Sequence, residues 1–166
     1  KINLKQNKNK LKVLMMYDDD PFKKWDIINK YLLDLCIKQS KNPNNITIDK
    51  FFIKVIKVIL LNSHKDPAFA AELLSLPSEN EIAENIKNYN PDKVFKARKD
   101  IIKNIKNTLY NEFHCIYKKC STVSNRNLRS WRVLHNICLE YLTIEGNTSS
   151  QKIALEAYNN SNNMTI

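Results

Sequence analysis

Three histidines, four cysteines and a run of aspartates are the side chains in this sequence best suited to hold a metal ion or act as a nucleophile. His114, Cys115 and Cys120 lie close together, but on a helix the two thiols are separated by roughly 140°. They would point apart and could not share an ion. His135 and Cys138 fall on one helical face and would make half of a tetrahedral site, yet no second pair is placed to complete four ligands. His64 stands alone. The expectation is therefore buried thiols and capped or surface histidines. Asp18, Asp19 and Asp20 resemble a cation-binding cluster at first sight, but no glycine-containing calcium loop follows. One of them is expected to cap a helix while the others complement its positive end. Trp25 and Trp131 carry flat rings on which bases could stack. Both fall on apolar helical stripes, which points to core anchoring instead.

The elements that carry these residues are helices. One glycine and five prolines in 166 residues leave too few positions tolerant of positive φ for the tight turns of an all-β sandwich. Asp20-Pro21 has the form of a helix start, an acidic cap followed by a residue with φ already fixed. The helix is expected to run to about Gln39 with Phe22, Trp25, Ile28, Leu32, Leu35 and Cys36 inward. Asn42-Pro43-Asn44-Asn45 breaks the chain. A second helix, about Thr47 to Asn62, repeats the stripe with Phe52, Val55, Ile56, Ile59 and Leu60. Asp66-Pro67 starts a short helix through Leu74, and Ser78 with Glu81 has the spacing of a capping box. Asn90-Pro91-Asp92 launches the longest predicted helix, with Val94, Phe95, Ile101, Ile102, Ile105, Leu109, Phe113 and Ile116 inward to about Lys119. Another is expected from about Asn125 to Leu142 with Leu128, Trp131, Leu134, Cys138 and Tyr141 inward. Gly146 ends it in the left-handed manner, and Ser149 to Tyr158 forms a last short helix. At the N-terminus, Ile2 to Lys5 and Leu11 to Leu14 alternate weakly and read as a short β-hairpin. The fold class expected is all-α: antiparallel helical pairs in a bundle or α-solenoid-like array, with that possible hairpin in front.

A net charge of +10 invites a nucleic-acid reading. The lysines, however, recur along nearly every segment among Asp, Glu and Asn, and cluster only at Lys1, Lys5, Lys8, Lys10 and Lys12. Solvated helix faces account for that distribution, so a nucleic-acid partner is not expected. No stretch approaches the run of about twenty apolar residues that a membrane span requires, and no membrane partner is expected either. The four cysteines lack the dense spacing of a disulfide-stapled secreted domain. Unpaired thiols favour the cytoplasm, although the compartment is not assigned.

Three stretches are more specific than helix signals. The first is Asp20-Pro21-Phe22-Lys23-Lys24-Trp25-Asp26. The second runs Asp66-Pro67-Ala68-Phe69-Ala70-Ala71-Glu72-Leu73-Leu74-Ser75-Leu76-Pro77-Ser78-Glu79-Asn80-Glu81-Ile82-Ala83-Glu84. The third comprises Arg132-Val133-Leu134-His135-Asn136 with Leu139 and Leu142, followed by Asn162-Asn163-Met164-Thr165. In order and spacing they resemble the first portion of the C-terminal helical domain of bacterial-type aminopeptidase N, a family of zinc metallopeptidases. Lys24 stands where the family usually has arginine, and Ile166 where an acidic residue follows Met-Thr.

The resemblance implies a parent enzyme with an N-terminal β domain, a thermolysin-like catalytic domain, a small β domain and a large helical domain that encloses the active-site cavity. Residues 1–16 would be the end of the small β domain or the junction leaving it. Residues 17–166 would be the first portion of the helical domain, and both ends of the chain are expected to be truncations. The implied partners are the missing catalytic and β domains of the same protein, and peptide substrates through the parent enzyme. The zinc of the parent is not expected in this stretch. A zinc peptidase of this type needs two histidines one helical turn apart with a glutamate between them, and neither His-Glu-x-x-His nor the family's amine-binding Gly-x-Met-Glu-Asn occurs. No catalytic, cofactor-binding or metal-ligating residue is therefore assigned, and the chain alone is expected to be inactive. The alternative is a free-standing helical interaction module without enzymatic activity.

Overall fold

The computed structural model describes residues 8–43, 48–122 and 128–161. Every regular element among them is a helix. In chain order they are α1 (Lys8–Tyr17), α2 (Pro21–Lys41), α3 (Lys50–Asn62), α4 (Pro67–Leu74), α5 (Glu79–Glu84), α6 (Pro91–Thr108), α7 (Tyr110–Cys120), α8 (Arg129–Thr143) and α9 (Thr148–Asn159).

The starts are set by short polar side chains that accept otherwise orphaned backbone N–H groups. Asp20 accepts from Phe22 and Lys23 ahead of Pro21, Asp66 from Phe69 ahead of Pro67, and Asn90 from Lys93 ahead of Pro91. Asp49 opens α3 and Asn147 opens α9 in the same way. At α5 the expected capping box is half made. Ser78 Oγ accepts from Glu81 N at 3.2 Å, but the Glu81 carboxylate instead accepts from Asn29 Nδ2 of α2 at 2.8 Å, so a local cap has become a tie between helices. Gly146 ends the turn after α8 at φ 65°, the positive φ among the described residues.

Three sequence expectations are corrected. The strand proposed for Leu11 to Leu14 lies inside α1, while Ile2 to Lys5 lies outside the described residues. Short apolar runs fit either period, and packing decides: Met15 is buried in the core, and α1 rests on α2 and α3, with Lys12 Nζ 2.7 Å from Asp49. The long helix expected from Asn90 to Lys119 is broken at Leu109, which sits at φ −123°, ψ 30° and serves as the end of α6 and the start of α7. Neither proline nor glycine causes the break. Thr108 Oγ1 donates to the Asn104 carbonyl at 3.0 Å, a back-bond of the kind that bends helices. Finally, Phe22, Phe95 and Leu128 were placed inward by periodicity but are exposed.

The rest of the inward stripes meet in one core. Ile28, Leu32, Phe52, Leu60, Leu74, Ile101, Ile105, Phe113, Leu134 and Tyr141 are fully or almost fully buried, each contributing about 1.5–3 kcal/mol through the apolar area removed from water. Helix α8 is the hub, packing against α4, α6, α7 and α9, while α2 lies along α6. The Phe113 and Tyr141 rings stack with centroids 4.3 Å apart, and Tyr141 donates its hydroxyl to the Leu74 carbonyl at 2.8 Å. That bond satisfies the one polar atom the ring carries into the core. Trp25 and Trp131 pack half-buried against the same cluster, as the stripes predicted.

Candidate functional site

The side chains singled out in the sequence are distributed over several elements. His64 is exposed after α3, its Nδ1 3.2 Å from the Leu61 carbonyl. Cys115 is exposed on α7, whereas Cys120, at the end of that helix, is buried, so the two thiols diverge as the helical spacing requires. The expectation of an inward Cys115 is thereby corrected. His114 stacks on Tyr110 at 5.8 Å and His135 on Tyr117 at 4.7 Å. His135 and Cys138 are both buried on α8, sharing a face as predicted.

Helix packing does bring some of these residues together. The end of α7, the start of α8 and one face of α9 enclose a cavity of about 260 Å³ lined by His114, Tyr117, Cys120, Arg132, His135 and Glu156, among others. Nothing local in the sequence shows that the His114 and His135 stretches lie side by side; the packing of α7 on α8 brings them together. The cavity does not amount to a metal centre. Among the described residues no group of three or more His, Cys, Asp and Glu side chains is positioned to hold an ion.

Nor do the buried thiols have the character of nucleophiles. Burial pushes the Cys36 and Cys120 thiols up to about 12 and Cys138 well above its ordinary value. A nucleophilic cysteine requires the opposite shift, since the thiolate is the reactive form. Burial likewise raises the Tyr141 hydroxyl. These groups are held as neutral core members.

Two charged features were not anticipated. Lys106 is buried, with Nζ 2.9 Å from Glu145 Oε2 and 5.9 Å from the centre of the Tyr110 ring, and Lys103 approaches the same carboxylate at 3.6 Å. The Lys106 contact, the largest influence, holds the Glu145 carboxyl below its ordinary value, and Lys103 adds to it. The signal was present in the sequence: position 106 follows Ile102 by four and precedes Leu109 by three, so it lies on the inward stripe. The second is a groove of about 570 Å³ between the end of α2 and the α5–α6 connection, lined by Lys41, Lys87, Lys93 and asparagines. Near the α1–α2 connection, Lys24 Nζ donates to the Met16 carbonyl at 3.2 Å. This is a single-donor bond that lysine makes as a point charge.

Helices packed side by side around one core, with the thiols and histidines buried or dispersed, define an all-α helical domain. The chain belongs to the DUF3458_C family, described as a domain of unknown function with ARM repeats, whose pattern matches residues 8–166. Aminopeptidase N of Escherichia coli strain K12 is 25% identical over 172 aligned positions, covering 99% of this chain and 20% of that protein. Aminopeptidase N of Haemophilus influenzae Rd is 29% identical over 161 positions, covering 92% of the chain and 18% of the relative. The crystal structure of Legionella pneumophila aminopeptidase A in complex with aspartic acid superposes on 96% of the chain with a TM-score of 0.77 at 20% identity, and that alignment covers 20% of the Legionella chain. The last likeness shows the fold alone. The chain thus spans about one-fifth of the proteins it matches.

Proposed function

We propose that this chain is the first portion of the C-terminal helical domain of a zinc-dependent aminopeptidase that removes N-terminal amino acids from peptides, with residues 1–16 joining it to a preceding small β domain. Its own task is architectural. The helices pack against the catalytic and β domains of the same polypeptide, wall the active-site cavity and restrict peptide access. The observation that carries the reading is the aminopeptidase N likeness, which runs over 99% of this chain yet takes in only 20% of the relative.

The residues present do not fit a catalytic zinc. His-Glu-x-x-His does not occur in the sequence, and among the described residues no group of three or more His, Cys, Asp and Glu side chains is placed to hold an ion. The zinc ligands and the general base would therefore be contributed by polypeptide outside residues 1–166, and no step of hydrolysis is assigned to this chain. What its residues supply is rigidity. The Tyr141–Leu74 bond, the Asn29–Glu81 bond and the Lys106–Glu145 pair each link separate elements of the array.

Reading the complete open reading frame tests the proposal. A His-Glu-x-x-His segment encoded upstream, followed by a glutamate on a later helix, is the expected result. A reading frame lacking that segment would favour a free-standing helical interaction module.

A further inference from the structure

The groove between the end of α2 and the α5–α6 connection gathers charge of a single sign. Lys41, Lys87 and Lys93 line it and are exposed, and among the described residues none of the three forms an ion pair. No Asp or Glu is among the described residues of its lining. The carboxylates nearest in sequence, Glu84 and Asp92, are exposed outside it. Where lysines converge elsewhere they share a carboxylate, as Lys103 and Lys106 share Glu145. Here three cations share none. Like charges along a concave wall reinforce one another's field and raise the local concentration of anions.

The groove has a fixed frame. Ser40 and Val94, which line it, are only 5% and 1% exposed. On the α2 side, Gln39 Nε2 donates to the Pro43 carbonyl at 3.0 Å and closes the turn after the helix. On the other side, Asn85 Nδ2 donates to the Glu81 carbonyl at 2.8 Å, Ile86 N to the Ala83 carbonyl at 3.2 Å, and Lys93 N to Asn90 Oδ1 at 3.0 Å. A backbone held in this way has little freedom left to lose when a ligand binds.

The make-up of the lining selects the kind of anion. No arginine is present to offer the planar fork that suits carboxylates, whereas lysine ammonium groups bind phosphate as point charges. No aromatic ring is among the described lining residues, so a nucleobase has no platform on which to stack. The volume of about 570 Å³ falls within the range of about 300–1,000 Å³ typical of small-molecule sites. We propose that this groove binds a compact polyphosphate, a small molecule with two or three linked phosphates, through Lys41, Lys87 and Lys93. The phosphates alone are recognised, so inorganic polyphosphate and the phosphate tail of a nucleoside triphosphate are equivalent ligands. The site does not depend on the aminopeptidase reading.

Isothermal titration of the full-length protein with sodium tripolyphosphate tests this at about 0.15 M salt, where charges more than about 8 Å away are largely screened. Saturable binding is expected for the unsubstituted protein. Lys87→Gln/Lys93→Gln should weaken it at least about tenfold, since each lysine lost removes a charge-assisted contact. Lys65→Gln/Lys152→Gln removes the same charge from exposed positions after α3 and on α9 and should change it less than about twofold. Absence of saturable binding, binding left intact by Lys87→Gln/Lys93→Gln, or equal weakening in the two variants would each overturn the site. Two further ligands separate the sources. ATP should bind within about threefold of tripolyphosphate, because no ring stacks on its base; a tenfold preference for ATP would overturn recognition through phosphates alone. Hexaglutamate should bind at least about tenfold more weakly, and tighter binding of hexaglutamate would overturn the choice of phosphate.

Discussion

Cys115 is exposed on α7, while Cys36, Cys120 and Cys138 are buried with thiols shifted upward by desolvation. An aromatic disulfide reagent should therefore titrate one thiol quickly in the native chain and all four in denaturant; rapid reaction of a second native thiol would contradict the packing. The Lys106–Glu145 pair gives a second expectation at this scale. Glu145→Gln would leave the buried Lys106 cation without its carboxylate and should destabilise the chain by about 1–3 kcal/mol in urea unfolding. Because the folded Glu145 carboxyl lies below its ordinary value of 4.5, the pair's stabilisation is present above that value and is lost as pH falls through the folded value. The difference between wild type and Glu145→Gln should accordingly shrink on the acid side of 4.5. Glu112, held low chiefly by its hydrogen bond from Lys57, shifts the unfolding profile in the same direction. The absence of His-Glu-x-x-His was visible in the sequence. That His114 and His135 would border one cavity was not, because neighbouring helices are a tertiary fact.

The helix starts were the most legible elements because their signals are local. Asp66 is a plain case: its side chain accepts from Phe69 N at 3.0 Å and Pro67 occupies the first helical turn. Asp66→Ala should cost about 1 kcal/mol, measured as a lower urea midpoint at unchanged slope. No change would mean that packing of Leu73 and Leu74 alone holds α4. Helix ends and helix faces were harder to read. The stripe of α6 and α7 is continuous in sequence, and periodicity does not encode the break at Leu109, which lies next to the Thr108 back-bond. Phe22, Phe95 and Leu128 match the inward spacing but lie at or near the starts of their helices, where a stripe can run past the edge of its neighbour. Leu11 to Leu14 was ambiguous between periods until Met15 found a place in the core.

For the molecule as a whole, family membership and the span of the likeness carry more than composition does. Some of the lysines are matched in pairs such as Lys12–Asp49, Lys30–Asp26 and Lys57–Glu112, so the net charge of +10 resides in the remaining cations. The basic groove at Lys41, Lys87 and Lys93 was not foreseen because its walls come from α2 and the α5–α6 connection. Among the described residues no helix is long and apolar enough to cross a membrane. The central claim is that these helices are an accessory wall and that the bond-breaking groups belong to polypeptide outside residues 1–166. It is tested most directly by assaying hydrolysis of alanyl and leucyl chromogenic amides by the full-length protein and by residues 1–166 alone, each with and without a zinc chelator. The account predicts chelator-sensitive turnover by the full-length protein and none by residues 1–166; metal-dependent turnover by residues 1–166 alone would contradict it.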